Sequence, residues 1–225
     1  MNPCIGIVSY LPDNEFREIR YNNCKKLLSQ LNSIFNIQII IIEQNYRDLT
    51  LNERNLIEYK FDEKLGIAKA RRTLRQKFLE SDFDYIILFD DDGYVEGTYE
   101  EGQDFLKQLY RHPNTFFSQK NALFCGMCIS RKLFEIVDIP NLEAAKNEGY
   151  EDNAFFTIIN RVCWVRDKVI KTNLKFTHSF ACSTWMCYEI CKDNQLRSEN
   201  TEKYVKNELE KFDKLPMLFD WIFIL

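Results

Sequence analysis

The chain has 225 residues, of which 45% are hydrophobic, and its formal net charge is −4. This length and apolar content suffice for one sizeable core, so we predict a single elaborated domain. The negative charge argues against a general nucleic-acid binder, which usually has a basic surface. No apolar run approaches the roughly 18 residues of a membrane-spanning helix, and the first residues lack a secretory pattern. We therefore expect a cytoplasmic protein.

Predicted strands and helices alternate through the amino-terminal part of the chain. Apolar runs predict strands at 4–11, 37–42, 56–61 and 85–89, and helical spacing of apolar residues predicts helices at 15–31 and 67–81. In the first helix, Ile19 and Cys24 are among the residues expected to face the sheet. This alternation is typical of a parallel sheet covered by helices on both faces.

The rest of the chain is predicted to be mainly helical, with short strands between the helices. Helices are expected at 99–110, 131–137, 152–160 and 199–212, a strand at 122–129, a loop at 138–149, and short strands around a turn at 166–168. We divide the chain into a core domain, 1–180, with halves 1–97 and 98–180, and a C-terminal helical extension, 181–225.

The chain ends in the apolar segment LPMLFDWIFIL, in which Pro216 breaks the preceding helix. The segment is too short to span a bilayer. Three settings for this tail are open: a cap on the core, a peripheral contact with the inner face of a membrane, or a contact with a partner surface.

The eight cysteines fall inside apolar segments rather than in loops. Reduced, buried thiols are therefore the predicted state, as expected in the cytosol. Cys125 and Cys128 have CxxC spacing, and Cys187 and Cys191 form a second pair one helical turn apart. A zinc site built on these pairs is the alternative interpretation.

The most informative segment is 85–96, YIILFDDDGYVE, in which five apolar residues lead into Asp90, Asp91 and Asp92. It predicts a buried strand with carboxylates at its carboxyl end, where ligands bind in open α/β sheets. A divalent cation relieves the repulsion between adjacent carboxylates. If the backbone stays extended, Asp90 and Asp92 project on the same side and can hold one Mg²⁺ or Mn²⁺. A solvated acidic turn is the alternative.

Two further segments carry side chains suited to chemistry. In 66–71, GIAKAR, a glycine opens a predicted helix that carries Arg71. Helix N-termini favour anions, and arginine can bind phosphate in bidentate fashion. In 149–153, GYEDN, Glu151 and Asp152 stand at a predicted helix start. Acids at this position also serve as helix caps, and a basic helix face can simply be solvated, so both segments have a structural interpretation as well.

Taken in order, the three segments resemble the motifs of GT-A-fold glycosyltransferases: a G-x-x-x-A-R segment, a strand ending in DxD, and a downstream G-x-E-D-N. The likeness is to inverting family 2 enzymes and to β-1,4-galactosyltransferases, whose last motif runs into a helix ending in Arg, as at Arg161. It extends over residues 5–178. The resemblance implies an α/β fold with a GT-A (Rossmann-like) mixed sheet flanked by helices, an acceptor-side extension and a C-terminal helix. Residues 1–97 would then be the nucleotide-binding half and 98–180 the acceptor half.

The resemblance also implies roles on the donor side of the site. Asp90 and Asp92 would contact Mn²⁺ or Mg²⁺ and the donor diphosphate or ribose, and His178 would complete the metal shell. The remaining residues assigned to the nucleotide are Ser9, Glu43, Arg71 and Asp91. The donor would be a nucleotide diphosphate sugar, with UDP the favoured nucleotide.

On the acceptor side, the resemblance makes Asp152 the general base that deprotonates the acceptor, and Glu151 the residue that positions it. Transfer with inversion needs one such carboxylate, together with charge neutralisation on the departing diphosphate. The acceptor would be a glycan, a lipid-linked glycan or a peptide.

Two other classes of protein fit part of the pattern. FDDDGYVEGT is also similar to the first motif of haloacid-dehalogenase-like phosphatases, in which Asp90 would be the nucleophile and Asp92 the acid/base. That family usually has the motif on its first strand, whereas here three strand–helix units precede it. The second alternative is a non-catalytic protein that binds a nucleotide or a glycan.

Overall fold

A computed structural model of the chain describes residues 2–47, 49–119, 124–139, 151–178, 210 and 219–224. The strands are β1 Pro3–Tyr10, β2 Ile39–Gln44, β3 Leu56–Phe61, β4 Tyr85–Asp90, β5 Gly93–Glu96, β6 Thr115–Gln119, β7 Cys125–Ser130, β8 Cys163–Ile170, β9 Lys175–His178 and β10 Phe219–Ile224. The helices are α1 Arg17–Ile34, α2 Ile67–Glu80, α3 Tyr99–Arg111, α4 Arg131–Ile136 and α5 Glu151–Val162.

Eight of these strands form one mixed sheet, in the order β3-β2-β1-β4-β7-β6-β10-β8. Strand β7 runs antiparallel to both of its neighbours, and the other adjacent pairs are parallel. The chain passes from β1 to β2 on one side of β1 and later returns to place β4 on its other side. The carboxyl ends of β1 and β4 therefore border the crevice in which open α/β sheets bind ligands.

Helices cover both faces of the sheet and bury two apolar layers. Helices α1 and α3 pack on one face through residues such as Leu28 and Phe105. Helices α2, α4 and α5 pack on the other face through residues such as Leu74, Phe134 and Phe155. The strands β5 and β9 form a separate two-stranded sheet, which joins the α1 and α3 layer through Val95 and Phe176.

Arg131 fixes the carboxyl end of α2 to the start of α4. Its guanidinium group donates four hydrogen bonds of 2.8 to 2.9 Å to backbone carbonyl oxygens, those of Phe78, Leu79, Ser81 and Phe83. The last carbonyl groups of a helix have no partner within the helix, so a side-chain donor stabilises this end. Helix α2, which carries Arg71 near its other end, is thereby held in place on the sheet.

Several sequence predictions about the elements need correction. The turn expected at 166–168 is wrong, because β8 runs through these residues. The strands β5 and β6 were not predicted, since each is short and has no clear alternation of its own. Helix α1 buries Arg20, whereas Ile19, expected to face the sheet, is 50% exposed. The buried face of α1 therefore includes Arg20 rather than Ile19, and Arg20 pairs there with the buried carboxylate of Asp91.

The apolar tail contributes a strand to the main sheet. Strand β10 lies between β6 and β8 and pairs in parallel with both. Of the three settings considered for the tail, this strand pairing agrees with the first, in which the tail packs on the core. Residues on both sides of the expected boundary at 180 therefore contribute to one sheet. The helix expected at 199–212 lies outside the described residues, apart from Glu210, which is helical.

The cysteines within the described residues have free, buried thiols. Cys125 and Cys128 both lie on β7 and pack in the core, and Cys187 and Cys191 lie outside the described residues. Burial raises the pKa of Cys125 to about 12, as expected for a free thiol packed in a core. In the described part of the chain, no helix is long and apolar enough to cross a membrane.

Candidate functional site

The first carboxylate of the acidic segment, Asp90, is the last residue of β4 and faces helix α2. Arg71 donates from Nη2 to Asp90 Oδ1 at 2.6 Å, and its side chain is only 8% exposed. The helix begins after Gly66, whose φ of 84° lies in the left-handed region that favours glycine. Asp90 and Arg71, predicted from separate motifs, therefore form one charge-assisted pair at the crevice.

The second carboxylate, Asp91, lies beneath the surface of the crevice. It accepts hydrogen bonds from Ser9 Oγ at 2.8 Å, from the Tyr10 backbone N–H at 3.2 Å and from Arg20 Nη2 at 2.6 Å. The Ser9 hydroxyl also pairs with the Tyr46 hydroxyl at 2.6 Å. Asp91 thus connects the ends of β1 and β4 to helix α1, and Arg20 compensates its charge.

The third carboxylate, Asp92, lies in the turn between β4 and β5. Strand β4 ends at Asp90, and the chain makes a turn before β5 begins at Gly93. The expectation that Asp90 and Asp92 project on the same side was conditional on a continuous extended backbone, and the turn at 91–92 means that this condition is not met. Asp92 instead lines a cavity of about 210 Å³ between α1, β5 and β9, together with Asn23, Leu27, Lys26, Gly93, Tyr94 and Thr177.

His178 lies close to Asp92 through the pairing of the small sheet. The backbone of His178 on β9 is directly opposite Gly93, the residue after Asp92. Residues opposite each other in an antiparallel pair have Cα atoms about 4.5–5.5 Å apart. The side chain of His178 lies outside the described residues. Among the side chains that are described, no group of three His, Cys, Asp or Glu residues could hold a metal ion.

Glu43, near the carboxyl end of β2, is fully buried and lies opposite Ser9 on β1. Neither of its carboxylate oxygens has a hydrogen-bond partner within the described part of the chain. Lys60 Nζ is 3.7 Å from Oε2, beyond hydrogen-bond distance. Burial, and then the neighbouring Glu58 carboxylate, raise the pKa of Glu43 to about 7, and Lys60 opposes this shift.

A first prediction follows from this raised pKa. The stability that protonated Glu43 contributes should be fully present below about pH 4.5 and lost as the pH rises through about 7. Glu43→Gln should therefore match the wild type in urea denaturation at pH 4.5 and exceed it by on the order of 1 kcal/mol at pH 8. Glu135→Gln is the control, because Glu135 is an exposed carboxylate on α4. Parallel pH profiles for wild type and Glu43→Gln would contradict this prediction.

Helix α5 begins at Glu151, so both predicted acceptor-side acids stand in its first turn. The side chains of 151–154 lie outside the described residues. One turn further on, the rings of Phe155 and Phe124 have centroids 5.9 Å apart. The Arg71 guanidinium lies 3.7 Å from the centroid of the Phe124 ring. The start of α5 is thus connected to the Asp90–Arg71 pair through two aromatic rings.

Sequence reasoning missed Arg20 and Tyr46, which complete the buried network around Asp91. Arg20 is 9% exposed and Tyr46 is 1% exposed. A signal for Arg20 was present, because it precedes Cys24 by one helical turn and so continues the buried stripe of α1. A charged residue in an apolar stripe indicates a buried partner of opposite charge. Tyr46 had no comparable signal, since it lies in an irregular segment.

Comparison with protein-family models and with curated protein sequences finds no match. Among solved structures, the chain is similar to Staphylococcus aureus TarS, at 14% identity and a TM-score of 0.50, over 70% of this chain and 33% of that one. A structure of TarS 1–349 in complex with UDP-GlcNAc has 13% identity and a TM-score of 0.48, over 70% and 52%. The glycosyltransferase GlyE of Streptococcus pneumoniae TIGR4 has 12% identity and a TM-score of 0.40, over 70% and 43%.

The chain spans about half or less of the length of these solved structures. At such low identity the likeness concerns the fold alone. It confirms the predicted fold class: an α/β chain with a GT-A-like mixed sheet flanked by helices. The activity has to be argued from the residues at the crevice.

Proposed function

We propose that this protein is a glycosyltransferase that uses a nucleotide diphosphate sugar. The observation that carries the proposal is the position of Asp90, Asp91 and Asp92 at the crevice between β1 and β4 of a GT-A-like sheet. Asp90 is paired there with Arg71, the arginine of the G-x-x-x-A-R segment. A crevice of this kind is the usual ligand site of such sheets, and Arg71 can hold a phosphate as well as a carboxylate.

On the donor side, Arg71 and Asp90 bind the diphosphate and ribose. Ser9, Glu43 and Asp91 shape the nucleotide site. Asp91 acts mainly by holding the ends of β1 and β4 in register.

The site suits Mn²⁺ or Mg²⁺. Asp92 is a half-buried carboxylate that lines a cavity, and hard divalent cations prefer such oxygen ligands. Asp90, Asp92 and His178 would hold the ion, and its chemistry there is to neutralise charge on the departing diphosphate. The pairing of β9 with β5, which brings His178 next to Asp92, supports this set.

On the acceptor side, Asp152 removes a proton from the nucleophilic hydroxyl or amide of the acceptor, and Glu151 orients that acceptor. Direct attack on the sugar carbon opposite the leaving group inverts its configuration. The acceptor is a glycan, a lipid-linked glycan or a peptide. Two observations support these roles: α5 begins at Glu151, and its next turn contacts Phe124 beside Arg71.

The alternatives are less consistent with this geometry. A phosphatase of the kind considered above usually carries its motif on the first strand of its core. Here Asp90 is the last residue of β4, and three strands precede it in the chain. A phosphatase would nevertheless release phosphate from a generic phosphomonoester in a reaction that depends on Asp90, so this assay separates the two proposals.

A thermal-shift panel of UDP, GDP, CDP and their sugars, with and without Mn²⁺, tests the proposed donor site. A ligand at about 100 times its Kd stabilises the folded state by about 2.7 kcal/mol. For a chain of this size we expect UDP or a UDP-sugar with Mn²⁺ to raise the Tm by roughly 5–10 °C. Adenosine at the same concentration is the control. If no nucleotide raises the Tm in a metal-dependent way, the proposed donor site is wrong.

A further inference from the structure

We propose that Phe124 is a positioning residue that holds Arg71 on Asp90 and ties this pair to the first turns of α5. This inference rests on the proposed function, because it treats Arg71 and Asp90 as the donor side of the site. Phe124 itself contacts no reacting group in this proposal. It acts on Arg71 through its ring, on Asp90 through its backbone carbonyl oxygen, and on the helix that carries Asp152 through the ring of Phe155.

A bulge at the start of β7 gives Phe124 its direction. The register between β4 and β7 shifts between Leu88 and Phe89, opposite Gly126. Within β7, Cys128 belongs to the α1 and α3 layer and Met127 to the opposite layer. Strict alternation would put Phe124 in the same layer as Cys128. The extra residue shifts the alternation by one position, so Phe124 packs instead in the layer that contains α2 and α5.

Glycine is required at this bulge. Gly126 has a φ of 76°, and a Cβ atom there would lie 2.6 Å from the ring of Phe176. Phe124 has a φ of 44°, a left-handed conformation that is rare for a bulky residue. Such strain persists only where the surrounding structure imposes it, and it is found most often at functional sites. The bulge therefore directs the Phe124 side chain into the layer that contains α2 and α5.

Three contacts connect Phe124 to both halves of the site. Its carbonyl oxygen accepts the backbone N–H of Asp90 at 3.0 Å. Its ring face lies 3.7 Å from the Arg71 guanidinium carbon, and the ring is tilted against Phe155 of α5. The side chain is only 2% exposed, so the cation–π contact is desolvated and strong. One residue thus orients Asp90 through the backbone and Arg71 through the ring.

The test compares Phe124→Leu and Phe124→Tyr with a matched control, Phe134→Leu. Phe134 is equally buried and also contacts Phe155, at 6.1 Å between centroids, but the Arg71 contact belongs to Phe124. UDP with Mn²⁺ is the probe, and its Kd is measured by calorimetry. We expect Phe124→Leu to raise the Kd about tenfold, Phe124→Tyr to restore it to within about threefold, and Phe134→Leu to leave it within about threefold. Equal effects of the two leucine variants would overturn the proposal.

A second measurement does not depend on nucleotide binding. In a double-variant cycle of unfolding, Phe124→Leu and Arg71→Gln together should destabilise the chain by less than the sum of the single variants. Additive effects would overturn the Phe124–Arg71 link. If wild-type protein binds no UDP but the cycle shows coupling, the proposed function fails while the structural link stands.

Discussion

Replacing Asp152 by asparagine should abolish most turnover while leaving donor binding intact. A general base contributes about 10²–10⁴-fold to the rate, because an amide cannot accept the acceptor's proton in the transition state. We therefore expect Asp152→Asn to lower kcat by at least about 10²-fold. The release of UDP from a UDP-sugar, in the presence of an acceptor that supports turnover, measures the effect.

The thermal shift produced by UDP and Mn²⁺ should be unchanged in this variant, since we assign Asp152 to the acceptor side. Asn160→Ala is the matched control, because Asn160 is an exposed residue of the same helix. It should keep wild-type turnover. Full activity in Asp152→Asn would show that Asp152 is not the general base. A loss of UDP binding together with turnover would indicate that the acceptor half of the variant is misfolded.

Asp91→Asn should be the most destabilising substitution in the acidic segment. The side chains of Asp91 and Arg20 are only 3% and 10% exposed, so the variant removes a negative charge that contacts a buried guanidinium. Removal of one partner from a buried ion pair costs about 3–5 kcal/mol. Asparagine keeps one acceptor oxygen, so we expect a loss of about 3 kcal/mol in the free energy of unfolding, measured by urea denaturation.

Two controls distinguish buried charge from a general effect of losing a carboxylate. Asp104→Asn breaks an exposed ion pair with Lys107 and should change stability by less than about 0.5 kcal/mol. The double variant Arg20→Met with Asp91→Asn should be more stable than Asp91→Asn alone, because it also removes the buried guanidinium whose contact with the Asp91 carboxylate is lost. If the double variant is the less stable of the two, the destabilisation has another origin.

Much of the fold follows from local pattern. The buried run at Tyr85 and the apolar stripe that includes Leu74 each specify one element with few alternatives. The short strands β5 and β6 carry too few residues for a periodic pattern, so their pairing decides their conformation. The tail that forms β10 shows the same limit. Its apolar character indicated burial, but only partners distant in sequence determine that it is a strand of the sheet.

The candidate site divides in the same way. The sequence by itself determined the three carboxylates at the end of a buried strand, the arginine after Gly66 and the acids at the start of α5, because each depends on residue type and short spacing. The tertiary structure alone decided that Asp90 pairs with Arg71, that Asp91 is buried against Arg20, and that Asp92 lines a cavity beside β9. These outcomes depend on the bend after β4 and the bulge in β7. Both are set by contacts between segments far apart in the chain, which no local pattern contains.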